Sequence, residues 1–76
     1  MNWLPLTSKM LASVAYDAQK QILHLRFRKT GDVYRYFDFP PEEYRAFLAA
    51  DSRGRFFLAH IRDHFLYERL AKLHAA

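Results

Sequence analysis

Apolar positions in the first half of the chain recur with a period of two. Ala12, Val14 and Tyr16 fall on one side while Leu11, Ser13 and Ala15 fall on the other, the alternation of a half-buried β-strand. A second strand is predicted from Ile22 to Arg28, with Leu23, Leu25 and Phe27 on one face and His24, Arg26 and Arg28 on the other. A third runs from Val33 to Phe39, rich in aromatics and interrupted by Arg35 and Asp38. Residues 1–10 read as a lead-in anchored by Trp3, Leu4 and Leu6.

The turns permit a test of register. A tight turn at Thr30-Gly31, with positive φ at the glycine, pairs Arg28 with Val33, Phe27 with Tyr34, Arg26 with Arg35 and Leu25 with Tyr36. The apolar side of the second strand then meets Tyr34 and Tyr36, whereas a slip of one residue sets Leu25 against Arg35 on a buried face. A loop over Ala18 to Gln21 places Tyr16 beside Leu23, Val14 beside Leu25 and Ala12 beside Phe27. Both hairpins agree on one apolar face, which predicts an antiparallel meander.

Beyond Phe39 the period changes. Pro40 and Pro41 stop the ladder, and Pro41 with Glu42 and Glu43 suits the first turn of a helix, where free N–H groups favour carboxylates. Tyr44, Phe47 and Leu48 follow at helical spacing. Asp51 or Ser52 can cap a second helix over residues 54–65, which carries Phe57, Ile61 and Phe65 at intervals of four. The expected fold is α+β: a three-stranded antiparallel β-meander with one face covered by two C-terminal helices.

Length confines this to a single domain spanning residues 1–76. A chain this short buries only about 60% of its unfolded surface, so the seven phenylalanines and five tyrosines are needed as bulk. Without cysteine, neither a disulfide framework nor a thiolate metal site is available. The N-terminus lacks the basic and extended apolar regions of a signal peptide, and no stretch approaches the roughly 18–20 apolar residues that span a bilayer. A soluble, cytoplasmic protein is expected. Twelve basic against eight acidic residues give a net charge of +4, and the excess lies in residues 1–40, with six basic and three acidic. That field admits an anionic partner such as RNA.

Candidate chemistry is sparse. His60 and His64 have the spacing of two zinc ligands on a helix, but no third ligand or neighbouring general base accompanies them. His24 falls on the polar sheet face and His74 in the tail. Ser8, Ser13 and Ser52 lack a His–acid partner, Ser52 being explained as a cap, and the two glycines form no phosphate-binding loop. No catalytic site and no cofactor are expected, and a small hydrolase or transferase is the weakest of three readings. The polar sheet face is more informative: Arg26, Arg28 and Arg35 share it with Phe37, offering phosphate forks and a stacking surface for an unpaired base. Its apolar members Phe37, Val33 and Ile22 support the alternative of a protein partner or a homodimer. A second basic set, Arg53, Arg55 and Arg62 with Lys72, flanks the second helix.

The sequence resembles the KTSC domain, a short module named after the C-terminus of some lysyl-tRNA synthetases and also found as a small stand-alone bacterial protein. The match rests on Ser8, Tyr16-Asp17, Leu23-x-Leu25-x-Phe27, Gly31-x-x-Tyr34-x-Tyr36, Phe39-Pro40-x-x-x-Tyr44, Ala50-x-Ser52-x-Gly54-x-x-Phe57 and Ile61-Arg62, and spans a core of residues 8–67. Leu58 stands where the family often has Asn, Phe65 where Tyr is common, and Phe39 where a smaller aliphatic residue precedes the proline. The resemblance implies no established activity; it suggests binding of RNA, tRNA included, attached to the central Tyr-x-Tyr. Because the register turns Tyr34 and Tyr36 toward the helices, the arginine sets and Phe37 are the expected contacts. The expected function is a non-catalytic module that binds RNA, or alternatively a protein partner, as a monomer or weak homodimer.

Overall fold

The computed structural model describes residues 2–70. Five antiparallel strands form one sheet in chain order: β1 (Leu4–Pro5), β2 (Leu11–Asp17), β3 (Ile22–Phe27), β4 (Val33–Tyr36) and β5 (Tyr67–Leu70). Between β4 and β5 the chain forms α1 (Pro41–Ala49) and α2 (Arg53–Phe56), the latter continuing as a π turn over Phe57–Ile61. The α+β class and the antiparallel sheet match the expectation, but the sheet has five strands, not three. The lead-in adds β1 to one edge, and the segment after the helices adds β5 to the other.

The helices begin where the sequence signals lie. Pro41 opens α1 with Glu42 and Glu43 in its first turn, and Ser52 Oγ accepts the Arg55 N–H at 3.2 Å to cap α2. The second helix ends earlier than the spacing suggests, at Ile61 instead of residue 65. Arg62 donates its N–H to the Phe57 carbonyl at 2.8 Å in the π pattern, is itself extended, and is followed by Asp63 with a φ of 68°. This left-handed residue turns the chain back toward the sheet as β5. Phe65 therefore reaches the core from a turn, with its ring 4.8 Å from that of Phe39.

The β2–β3 register holds over Tyr16–Leu23 and Val14–Leu25, then shifts: Leu11, not Ala12, lies opposite Phe27. This bulge brings a leucine onto the helix side, where it is wholly buried, and removes a small alanine from the position the simple alternation gave it. The β3–β4 hairpin differs by two residues from the expected pairing. Its loop closes on Phe27 and Asp32, with Gly31 at a φ of 76° donating its N–H to the Phe27 carbonyl at 2.8 Å. Leu25 consequently faces Tyr34, Leu23 faces Tyr36, and Arg35 faces His24 instead of Arg26. A shift of two preserves the faces, and here it also avoids setting two arginines opposite each other.

The core lies between β2–β3 and the helices: Leu11, Val14, Leu23, Leu25, Tyr36, Phe39, Phe47, Phe57 and Ile61 form one buried cluster. The other sheet face is less open than predicted. Ala15, His24 and Val33 are buried there, because β1 carries Trp3 over the sheet, its indole edge-on to His24 at 6.2 Å with the Arg26 guanidinium 5.3 Å from the ring centroid. No helix among the described residues is long and apolar enough to cross a membrane.

Candidate functional site

The helices cover β2 and β3 more completely than β4 and β5, and the uncovered part of the helix-side face forms a cleft of about 550 Å³. Its size is within the range of small-ligand sites, roughly 300–1,000 Å³. Alternation in β4 and β5 directs Tyr34, Tyr36 and Tyr67 to this side, and Tyr36 pairs with Tyr67 across the ladder. The three rings touch: Tyr34 and Tyr36 are nearly parallel at 6.4 Å, and Tyr67 lies 5.7 Å from Tyr34 and 5.9 Å from Tyr36. Phe27 and Phe57 abut the cluster edge-on. Exposure grades across the floor, from buried Tyr36 to Tyr67 at 59%. Burial, then the neighbouring Tyr34 and Tyr67, pushes the Tyr36 hydroxyl well above the usual tyrosine pKa, so it stays protonated at neutral pH.

The π turn builds the opposite wall. It keeps Phe57 and Ile61 in the core while Leu58 and Arg62 line the cleft mouth, a use of a π turn in keeping with its frequent occurrence at functional sites. Lys9, Lys29 and Arg62 put positive charge on the rim. Neither lysine has an ion pair among the described residues, and Arg62 has only a 3.8 Å contact with Asp63, its chain neighbour. Two acidic residues also line the cleft: Asp63, exposed beside Arg62, and Asp32, almost fully buried, whose Oδ2 lies 3.4 Å from Arg69 Nε and whose Oδ1 has no hydrogen-bond donor among the described residues.

The arginines singled out in the sequence do not gather at one place. Arg26 covers Trp3 and donates to the Gly31 carbonyl at 3.3 Å. Arg28 clamps the lead-in by donating to the carbonyls of Leu6 and Ser8 at 2.7 and 3.0 Å. Arg35 pairs with Glu68 and lies 5.6 Å over Phe37. Arg53 donates to the Leu48 carbonyl at 2.7 Å, Arg55 is exposed, and Arg62 alone of the seven candidates lines the cleft. Lys72 and His74 lie outside the described residues. His60 and His64 do not share a helical face, since the helix ends between them. Among the described residues no three His, Asp or Glu side chains gather as a metal site. Ser8 Oγ accepts the Met10 and Leu11 N–H groups, both at 3.1 Å, a local structural role.

Sequence reasoning missed Lys9, Asp32 and Tyr67 as site residues. The alternation Tyr67-Glu68-Arg69-Leu70 was the available signal for the last, but it lies beyond the last predicted element and is too short to establish a strand by itself.

The KTSC domain family model matches residues 7–65. The chain belongs to the KTSC domain family. It is 41% identical over 71 residues to an uncharacterized protein of Stutzerimonas stutzeri, covering 92% of this chain and 99% of that one. It is 39% identical over 61 residues to a protein of Tsukamurella paurometabola, covering 80% and 90% respectively. The crystal structure of a KTSC domain protein from Yersinia pestis superposes with a TM-score of 0.87 at 31% identity, over 92% of this chain and 97% of that one. Within this KTSC domain, Leu58 is 42% exposed at the cleft mouth and makes that wall apolar. Phe65 instead packs on Phe39.

Proposed function

We propose that this KTSC domain is a non-catalytic binding module for single-stranded RNA, and that the tyrosine cleft is its contact surface. One observation carries the reading: an aromatic floor that grades from buried Tyr36 to exposed Tyr67 lies beneath a rim where Lys9, Lys29 and Arg62 outnumber Asp63. Unpaired bases stack on such rings irrespective of sequence, while cations attract the phosphates that flank them. The sheet face bearing Arg26, Arg35 and Phe37 suits RNA less well, because its guanidinium groups already contact Trp3, Glu68 and Phe37.

The rival reading, a protein-interaction domain, draws on the outer edge of β5 and on Leu66, which is 77% exposed. Pairing with a second copy is disfavoured at that edge. An antiparallel register centred on either middle residue of β5 sets Glu68 or Arg69 opposite its own copy, and like charges directly opposed destabilise a ladder.

An amide chemical-shift titration with short single-stranded RNA and with tRNA, at low and moderate salt, tests the proposal. Salt-sensitive shifts at Lys9, Lys29, Tyr34, Arg62 and Tyr67 are expected. Shifts confined to Arg26, Arg35 and Phe37 move the contact to the other face, and an unchanged spectrum at millimolar RNA overturns the reading.

A further inference from the structure

Of the two carboxylates that line the aromatic cleft, Asp63 is exposed beside Arg62 while Asp32 is buried, and the buried one has no role in stacking or phosphate attraction. Asp32 follows the sharp loop that ends β3, with its N–H donated to Thr30 Oγ1 at 3.2 Å and its carbonyl accepting the Phe27 N–H at 2.9 Å. These bonds fix the backbone and direct the side chain to the same side of β4 as Tyr34 and Tyr36. The carboxylate is 9% exposed as a residue, yet only Oδ2 has a cationic neighbour, Arg69 at 3.4 Å, while Oδ1 is buried without a donor among the described residues. A buried carboxylate oxygen without a donor is costly, and ionised it can only accept hydrogen bonds.

Resting on the RNA reading above, we propose that the cleft selects guanine among unpaired bases, with the Asp32 carboxylate accepting the two adjacent N–H groups of the guanine Watson–Crick edge while the ring stacks on Tyr67. Guanine alone of the four RNA bases presents two neighbouring donors there, N1–H and the N2 amino group. Adenine, cytosine and uracil each set an acceptor beside their donor, and that acceptor would face the carboxylate. Arg69 is the group that yields: its side chain is 61% exposed and holds Asp32 by one long contact, so it swings to solvent as the base enters.

The test compares binding of hexauridylate with the same oligomer carrying one central guanosine, inosine or adenosine, by fluorescence anisotropy with amide spectra as a check of folding. Guanosine is expected to bind at least about tenfold tighter than adenosine, the scale of a charge-assisted hydrogen bond, with inosine, which lacks the amino group, in between. D32N is expected to abolish the preference, bringing the guanosine and adenosine oligomers to equal affinity. R69A, at an exposed position, is expected to raise the preference about two- to fivefold by removing the competing cation, and it decides the matter if D32N does not fold. Equal, salt-dependent binding of all four oligomers overturns guanine selection and leaves the RNA reading standing. A preference that survives in folded D32N, or fails to rise in R69A, also overturns it, and binding of none of the oligomers overturns both.

Discussion

The helix-side face of the sheet has two halves that look alike in composition and behave differently. Over β2 and β3, Leu11, Val14, Leu23 and Leu25 are sealed beneath Phe39, Phe47 and Ile61, all without measurable exposure. Over β4 and β5, Tyr34, Tyr36 and Tyr67 are equally bulky, yet the cover stops at Phe57 and Leu58, and the rings grade into solvent. What separates core from site is not side-chain type but the reach of two short helices. Tyrosine tolerates this boundary because its ring is apolar while its hydroxyl can meet water or a ligand.

The sharpest way to break the comparison is to exchange its energetics. Phe47→Ala in the sealed half is expected to cost about 3–5 kcal/mol through lost burial and a cavity, a large part of the ~5–15 kcal/mol typical of whole domains. Urea denaturation measures it, and a loss below about 1 kcal/mol would mean that half is not the structural core. Tyr67→Ala in the open half is expected to change stability by no more than about 0.5 kcal/mol. Its effect belongs to binding: RNA affinity should fall several-fold to tenfold or more, since a stacked base is worth about 1–3 kcal/mol. Equal stability losses from the two substitutions would erase the distinction.

A smaller effect sharpens the account of the rim. Combined Lys9→Ala and Lys29→Ala exchange should leave the denaturation midpoint unchanged but flatten the dependence of log affinity on log salt by about 0.7 per lost phosphate contact. An unaltered slope would show that the lysines do not meet phosphate.

The subtlest expectation concerns the far side of the sheet, which the helices do not touch. Burial beneath Trp3, and secondarily the Arg35 charge, lowers the His24 pKa below its ordinary value of 6.5. The unfolded chain then binds this proton more readily than the folded one. Stability contributed by neutral His24 is therefore complete above about pH 6.5 and declines as pH falls from there toward the lowered folded pKa. Denaturation midpoints at pH 7.5 and 5 should show a drop that His24→Gln reduces; an equal drop in the variant would assign the acid sensitivity to carboxylates.

Much of the sealed half was legible from residue order. Val14, Leu23 and Leu25 share a face because strand periodicity is local, and Pro41 and Ser52 begin helices through backbone groups within a turn of themselves. The site was far less legible. Tyr34 and Tyr36 were correctly turned toward the helices, but the wall that leaves Tyr34 partly uncovered beside buried Tyr36 depends on a helix that stops at Ile61 instead of continuing to Phe65. Likewise, Arg28 and Arg35 were read as solvated phosphate forks, whereas one clamps Leu6 and Ser8 and the other pairs with Glu68, on segments not expected to join the sheet.

The sequence by itself determined the α+β class, the common apolar face of the central strands, the helix starts and the resemblance to the KTSC domain, because each rests on short-range periodicity, proline geometry or an ordered set of motifs. Only the tertiary structure decided the bulge that turns Leu11 inward, the two-residue shift that sets Arg35 against His24, the two added edge strands and the cleft. Those outcomes depend on competition among distant groups for burial and hydrogen bonds. A shift of two residues leaves every face unchanged, so the hydrophobic pattern alone carries no signal that distinguishes one register from the other.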